Sequence, residues 1–514
     1  MQPKIRTVPT GSGATAVQII HSYAGGTTSM EHVGSAHTDA ELAALKAEAA
    51  RRIQGDQLDL GLDLGTDVPV SPSTATGTVE QPWPVTAQRS GYLLDAIDTA
   101  YRAIGLDVAA GGDEVFAGLV TARILQPGSK YDSIRVLAEA GVTSASYSTI
   151  KRRLPRYATD EFRDAVTSVC ADHARIGPTS LVLYDVTTLY WEADEPDGFR
   201  EPGFSKERRI DPQVTVGMLT DASGFPLRIQ AFEGNKAETK TFLPSVEAFM
   251  DTYDLSDVTV VADAGMVSEA NRRDLDAAGL SYVLGGKTKE LPYPIWKWRA
   301  DNPGVDYVHD QIWVSRDPGD PDKGIRPSRT IYHYSADRAR RALKAIEESL
   351  RKARNIAEGK TPVKRNRYVK MGATTKEVNL ELASKHRELA GIKAYVTSRL
   401  DEDPMVVIGY YRRLFQIERS FRMAKSDLRA RPVFHTLKAS IDAHLTVVMA
   451  AVSVGRWLES ASGWSLKRLV QTLRGYREMR INVGGHEAVA AVPLPPELIE
   501  VMSDIQTKAS AKPY

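Results

Sequence analysis

Three consecutive strand-like segments, followed by strands that alternate with helices, constrain this chain more than any other feature. LVLYDVTTLYW (181–191) is rich in β-branched and aromatic residues, as a buried strand requires. QVTVGMLTD, a turn at Gly224 and PLRIQAFEG follow, which together predict an antiparallel meander. TKTFLPSVEAFMDTY then reads as a crossover helix and DVTVVADAG as a short apolar fourth strand. SEANRRDLDAAG is a helix capped by Ser268 and stopped by Gly279, and SYVLGG is a fifth strand. The order β-β-β-α-β-α-β predicts an α/β fold with a mixed sheet and helices on both faces.

That order is the RNase H-like plan. At 514 residues the chain is too long for one compact core. Residues 1–55 read as a small β/α module, and 56–89, rich in Gly, Asp, Pro, Ser and Thr, as a linker. Residues 90–177 have helical spacing and read as a helical DNA-binding domain. The core is expected in two parts, 178–286 and 401–460, interrupted by a β-rich basic insertion over 287–400 that carries one long helix, Asp337 to Glu358. Residues 461–514 read as a C-terminal helical region.

One cysteine, Cys170, excludes an intrachain disulfide and a Cys-based zinc site, and suits a reducing cytoplasm. The N-terminus lacks the apolar region of a signal peptide. The most apolar run, Leu445 to Val454, falls short of the roughly 20 residues of a membrane span and reads as a buried helix. A cytoplasmic, nucleoid-associated protein without a membrane partner is expected.

A net charge of +1 leaves local charge to speak for partners. Between Lys323 and Lys370 stand fifteen Lys and Arg against four Asp and Glu, densest at KRNRYVK with Lys364, Arg365 and Arg367. Such a stretch favours salt-dependent phosphate contact, although a solvated helix and loop have the same composition. SYSTIKRRLPRY places Lys151, Arg152 and Arg153 on a short helix beside a turn, which fits a helix-turn-helix-like DNA contact and equally a solvated helix end. Trp296, Trp298 and Trp313 fit structural roles better than base stacking.

Two carboxylates carry the chemistry. Asp185 sits mid-strand, where desolvating a carboxylate costs several kcal/mol unless a cation, backbone N–H groups or a metal compensates. Asp263 ends the fourth strand, and alone it fits an N-cap as well. In this plan the first and fourth strands are adjacent, so the aspartates converge, and paired anions favour cations between them. Tyr411, Glu418 and Lys425 recur every seven residues, hence on one stripe of a helix expected from Met405 to Ala430. On helix evidence alone, Glu418 paired with Arg422 four residues on explains that stripe.

YDVTTLYW (184–191), GFSKERR (203–209), FEGNKAET (232–239), VVADAGM (260–266) and YRRLFQIERSFRMAK (411–425) resemble the DDE transposases of bacterial insertion sequences, in the superfamily marked by a Tyr-Arg-Glu-Lys helix. The resemblance implies metal binding by Asp185, Asp263 and Glu418, and DNA-backbone contacts by Tyr411 and Lys425. The signature arginine falls on Leu414. Arg412 and Arg413 are its neighbours, and Arg422, on the Glu418 stripe, is the first substitute. The resemblance also implies a large β insertion between the second aspartate and the glutamate, which residues 287–400 supply.

The expected reaction is two-metal-ion hydrolysis at transposon ends, then transfer of the 3′-hydroxyl into target DNA. Two Mg²⁺ ions are expected, with Mn²⁺ able to substitute. The expected partners are double-stranded DNA, as terminal inverted repeats and target, and a second copy of the chain in a synaptic homodimer. The other readings are a domesticated transposase that only binds DNA and a nuclease of the same fold without strand transfer.

Overall fold

The computed structural model describes residues 4–9, 15–22, 28–36, parts of 38–49, 78, 82–177, 180–190, 197–202, 212–235, 244–247, 249–250, 258–263, 269–362, 365–371, 376–430, 437–483 and 485–511. The chain forms two compact units, Met1–Thr74 and Ala75–Tyr514. In the first, β1 (Lys4–Pro9), β2 (Thr15–Ser22) and β3 (Thr28–Ala36) form an antiparallel sheet. Val17 and Ile19 pack with Ala49 as its small core.

The second unit opens with β4 (Val85–Arg89) and helices from Gly91 to His173. The expected meander follows as β5 (Leu181–Tyr190), β6 (Gln213–Asp221) and β7 (Pro226–Glu233), antiparallel throughout. β8 (Thr259–Ala262) pairs parallel with β5, and β9 (Ser281–Gly286) parallel with β8. Strand alternation makes one face of β5 apolar: Val182, Tyr184 and Val186 are buried while Asp185 and Thr187 are half-exposed. Each such buried side chain contributes about 1.5–3 kcal/mol. The expected crossover helix at 239–253 lies largely outside the described residues.

The sequence sets 287–400 apart as an insertion, but three of its strands extend the core sheet. β10 (Ile312–Asp317), β11 (Ser328–Tyr334) and, after the short hairpin β12 (Val369–Met371) and β13 (Lys376–Val378), β14 (Ile392–Thr397) complete an eight-stranded sheet of order β10-β11-β14-β9-β8-β5-β6-β7. β14 runs antiparallel to β9, whose backbone would otherwise be an unpaired edge. The basic helix Ala336–Ala357 packs Ile346, Leu350 and Ala353 against Tyr368 and Ala383, a small core of its own. Trp313 is buried in an aromatic cluster with Trp298 and Tyr307, so these tryptophans are structural, while Trp296 is exposed and stacked on Tyr293.

Two other boundaries shift. The end of the expected linker is β4, which pairs with β15 (Glu478–Val483), and β15 pairs with β16 (His486–Ala491). The expected C-terminal helical region thus contains a hairpin, closed against a strand some 390 residues earlier. The helix Lys438–Ser462 is long and apolar enough to cross a membrane, yet 94% of its most apolar window is buried among other elements of the fold. It packs on β7 and on the 91–125 helices, so the helical region and the sheet share one core. Cys170 is buried in that core beside Ser453, as a small apolar residue would be.

Buried bases hold the chain where it leaves the sheet-packed helix. Arg123 Nη1 donates to the carbonyls of Leu428 and Arg429, and His444 Nε2 to that of Ala430. His444 Nδ1 is then the acceptor facing Lys130 Nζ and Arg123 Nη2, at 3.4 and 3.5 Å. Burial, with the Arg123 charge beside it, pushes Lys130 down to about 7. Between pH 7 and the ordinary lysine value, the unfolded chain binds a proton that the folded chain does not. Stability therefore rises with pH across that window. Relative to Lys130→Met, the wild-type chain should gain up to about 1.4 kcal/mol per pH unit from pH 7 to 9. Denaturant melts of both chains check this; identical pH dependence would show that Lys130 stays charged in the fold.

Candidate active site

β5 and β8 fix the two aspartates. Their parallel register aligns Leu183 with Val261, and two residues further on stand Asp185 and Asp263. Asp185 is half-exposed and Asp263, just past the end of β8, is exposed. The helix expected as one piece from Met405 is two, Pro404–Arg412 and Leu414–Arg422, continued by a wider π-turn over Met423–Asp427. Leu414, Ile417, Ser420 and Phe421 are its buried stripe, which leaves Glu418 exposed on another face.

Asp185, Asp263 and Glu418 line one cavity of about 430 Å³, together with Tyr411 and Arg412. Tyr411 is buried, and its hydroxyl donates to Asp263 Oδ1 at 2.5 Å. Burial, and then the adjacent Asp263, raise the Tyr411 phenol above its ordinary value, so it remains a donor. Lys425 donates to Thr187 Oγ1, which lies on β5 two residues beyond Asp185 and on the same face. Tyr411 and Lys425 thus bond to Asp263 and to β5, and Glu418 lines the cavity with Tyr411, although Lys425 is outside the cavity lining.

Among the arginines near the position of Leu414, Arg412 lines the cavity and Arg413 and Arg422, both exposed, do not. The helix is interrupted at Arg413, and it is the first half that brings an arginine, Arg412, to the cavity lining. Arg412 stands 3.8 Å from Asp310, which accepts from the buried His333 Nε2 at 2.7 Å. That hydrogen bond holds the Asp310 carboxyl below its ordinary value. Leu414 itself is buried and lines the cavity as an apolar wall.

Three lining residues escaped the sequence reading: Arg338, Lys393 and Tyr395. Lys393 and Tyr395 alternate on β14, and Arg338 lies in the first turn of the Ala336–Ala357 helix, where its Nη1 donates to the carbonyls of His333 and Gly391. A lysine inside the apolar strand AGIKAYVTS was the available signal. The other expected DNA contacts lie elsewhere. Lys151, Arg152 and Arg153 are exposed at a helix end, and Arg153 is 3.7 Å from Asp113, which also takes Arg156. Arg365 and Arg367 are exposed, and Lys364 lies outside the described residues.

Carboxylates are hard oxygen donors of the kind that Mg²⁺ and Mn²⁺ prefer. Among the described residues no three Asp, Glu, His or Cys side chains already stand at the separations of a metal cage. The cavity lining and this result describe one geometry: three carboxylates face a common space without closing on it.

A family profile described as "Transposase DDE domain" matches residues 176–453. The span runs from just before β5 through the Glu418 helix into the Lys438–Ser462 helix. Among solved structures, the chain is similar to a piggyBac transposase in its synaptic complex with hairpin DNA, at 10% identity and a TM-score of 0.37, over 83% of this chain and 73% of that one. That likeness is too remote to assign residue roles. Comparison with curated proteins gives no match. With more than half of its length matched, and with its acidic cavity inside that span, this chain belongs to the family of transposases that share the DDE domain.

Proposed function

We propose that the chain cleaves DNA at transposon ends and joins the freed 3′-hydroxyl to target DNA, using the Asp185, Asp263 and Glu418 cavity of an RNase H-like core. The observation that carries this reading is the meeting of three carboxylates, from two adjacent parallel strands and one helix, in a single cavity. Asp185, Asp263 and Glu418 would hold divalent cations, Mg²⁺ or Mn²⁺. Bound there, the ions supply an activated water or 3′-hydroxyl and offset charge on the leaving oxygen.

The remaining groups orient and balance. Tyr411 fixes the Asp263 carboxylate by donating its hydroxyl to Oδ1. Lys425, anchored on Thr187, brings a positive charge to the strand that carries Asp185. Arg412 offers a guanidinium to DNA phosphate at the cavity wall. DNA is the proposed partner, and synapsis of two ends makes a DNA-bound dimer the proposed assembly.

The test is incubation of the purified chain with linear duplex that carries the element's terminal repeats and with a target plasmid, in Mg²⁺ and in EDTA. Cleaved ends and joined products are expected in Mg²⁺ only. Cleavage without joining would make the chain a nuclease, end binding without cleavage would make it a DNA-binding derivative, and cleavage in EDTA would remove the metal assignment.

A further inference from the structure

The cavity contains a cation that the proposed chemistry has not yet used. The Lys393 ammonium lies 4.1 Å from the centre of the Tyr411 ring and 5.8 Å from that of Tyr395. The two rings stand edge to face at 5.0 Å, and both are buried, so the platform under the ammonium is rigid. Among the described residues no carboxylate lies within 4.0 Å of this ammonium, and none of its three N–H donors has a hydrogen-bond acceptor. Asp263 and Glu418 act on it only through space, and Arg338 opposes them.

A half-buried ammonium with open donors is costly to keep unless an acceptor arrives. This one sits on two aromatic faces and opens on a cavity that also holds Arg338 and Arg412. A single acceptor with several oxygens can meet these cations on one side and cations held by the carboxylates on the other. A phosphodiester has that form. Lysine suits such a place as a compact charge that accepts several approach angles.

We propose that Lys393 binds a DNA backbone phosphate in the active-site cavity, with the rings of Tyr411 and Tyr395 aiming its ammonium. This rests on the reading of the cavity as a site of DNA chemistry. Because Tyr411 also holds Asp263, one side chain sets both the phosphate contact and a metal-ligating carboxylate.

The experiment measures binding of the full chain to a linear duplex bearing the terminal repeats, in EDTA, by fluorescence anisotropy over a range of salt concentrations. The wild-type chain is compared with Lys393→Met, Lys393→Gln and Lys393→Arg. Loss of one phosphate contact should reduce the slope of log affinity against log salt by about 0.9 in the Met and Gln variants, with the wild-type slope kept by Arg. A lysine that only balances Asp263 and Glu418 would leave the slope unchanged, and that result overturns the proposal while the DNA reading stands. Should the Met variant fail to fold, the Gln and Arg pair decides. A wild-type chain without salt-dependent binding overturns both readings.

Discussion

Asp185→Asn, Asp263→Asn and Glu418→Gln should each slow DNA-end cleavage by about a thousand-fold or more, with the fold intact. Each substitution removes a charge and keeps the shape. Asp263 and Glu418 are exposed and Asp185 is half-exposed, so none leaves a cavity in the core. The loss follows from charge: a neutral amide holds a divalent cation poorly, and metal ions contribute several kcal/mol to transition-state stabilisation, at about 1.4 kcal/mol per tenfold in rate. The three effects should not add, because one missing ligand already disables the unit. Asp263→Asn has a second consequence, since Tyr411 then donates to a neutral oxygen and its phenol is released from the aspartate's charge. Single-turnover cleavage in Mg²⁺, paired with thermal melts, gives the answer. A folded variant that cleaves within tenfold of wild type would remove its residue from the site.

Gly224→Ala should destabilise the chain by about 2–5 kcal/mol and also impair cleavage, although residue 224 is not in the cavity. Gly224 closes the β6–β7 turn at φ +84°, a left-handed conformation that costs a side-chain-bearing residue roughly 1–2 kcal/mol. Asp221 builds the turn by accepting from the Ser223 and Phe225 backbone N–H groups. A Cβ on Gly224 would lie 2.6 Å from the Gln416 carbonyl of the Glu418 helix, so backbone must move, at a further cost of about 1–3 kcal/mol. Ser420 Oγ donates to the Gly224 carbonyl at 2.5 Å, so the turn is also the helix's anchor on the sheet. Arg456 ties the same place to the core helix through Ser223 and Gln416. Pushing the turn from the helix shifts Glu418 against Asp185 and Asp263. The melting temperature should fall by several degrees and cleavage should fall more than the folded fraction does. A melting point within about 1 °C of wild type would show that the turn and helix separate freely.

The strands that carry the aspartates were legible in the sequence for a local reason. A short run dense in β-branched and aromatic residues satisfies its backbone and buries its side chains best in a sheet. The meander, the two parallel strands that follow it and the carboxylates at 185 and 263 all rest on that pattern. Glu418 was legible only through family likeness, because on its helix an exposed glutamate four residues before an arginine looks like any solvated face.

What tertiary structure alone decided depends on pairings across long stretches of chain. Residues 287–400 resemble a separate insertion because their strands are short and interrupted by turns and a long helix, yet β10, β11 and β14 belong to the core sheet. Their partners lie on other elements, and nothing local announces them. β4 closed on β15 is the same case, a strand that composition takes for linker. Arg412 rather than Arg422 lines the cavity, which the stripe of the helix did not predict. By itself the sequence determined the five strands from Leu181 to Gly286 and the aspartates within the first and at the end of the fourth, because β-branched and aromatic content is a local property. The cavity's cationic wall, Lys393 on Tyr411 above all, was decided by the fold, because it joins residues whose nearness no local pattern encodes.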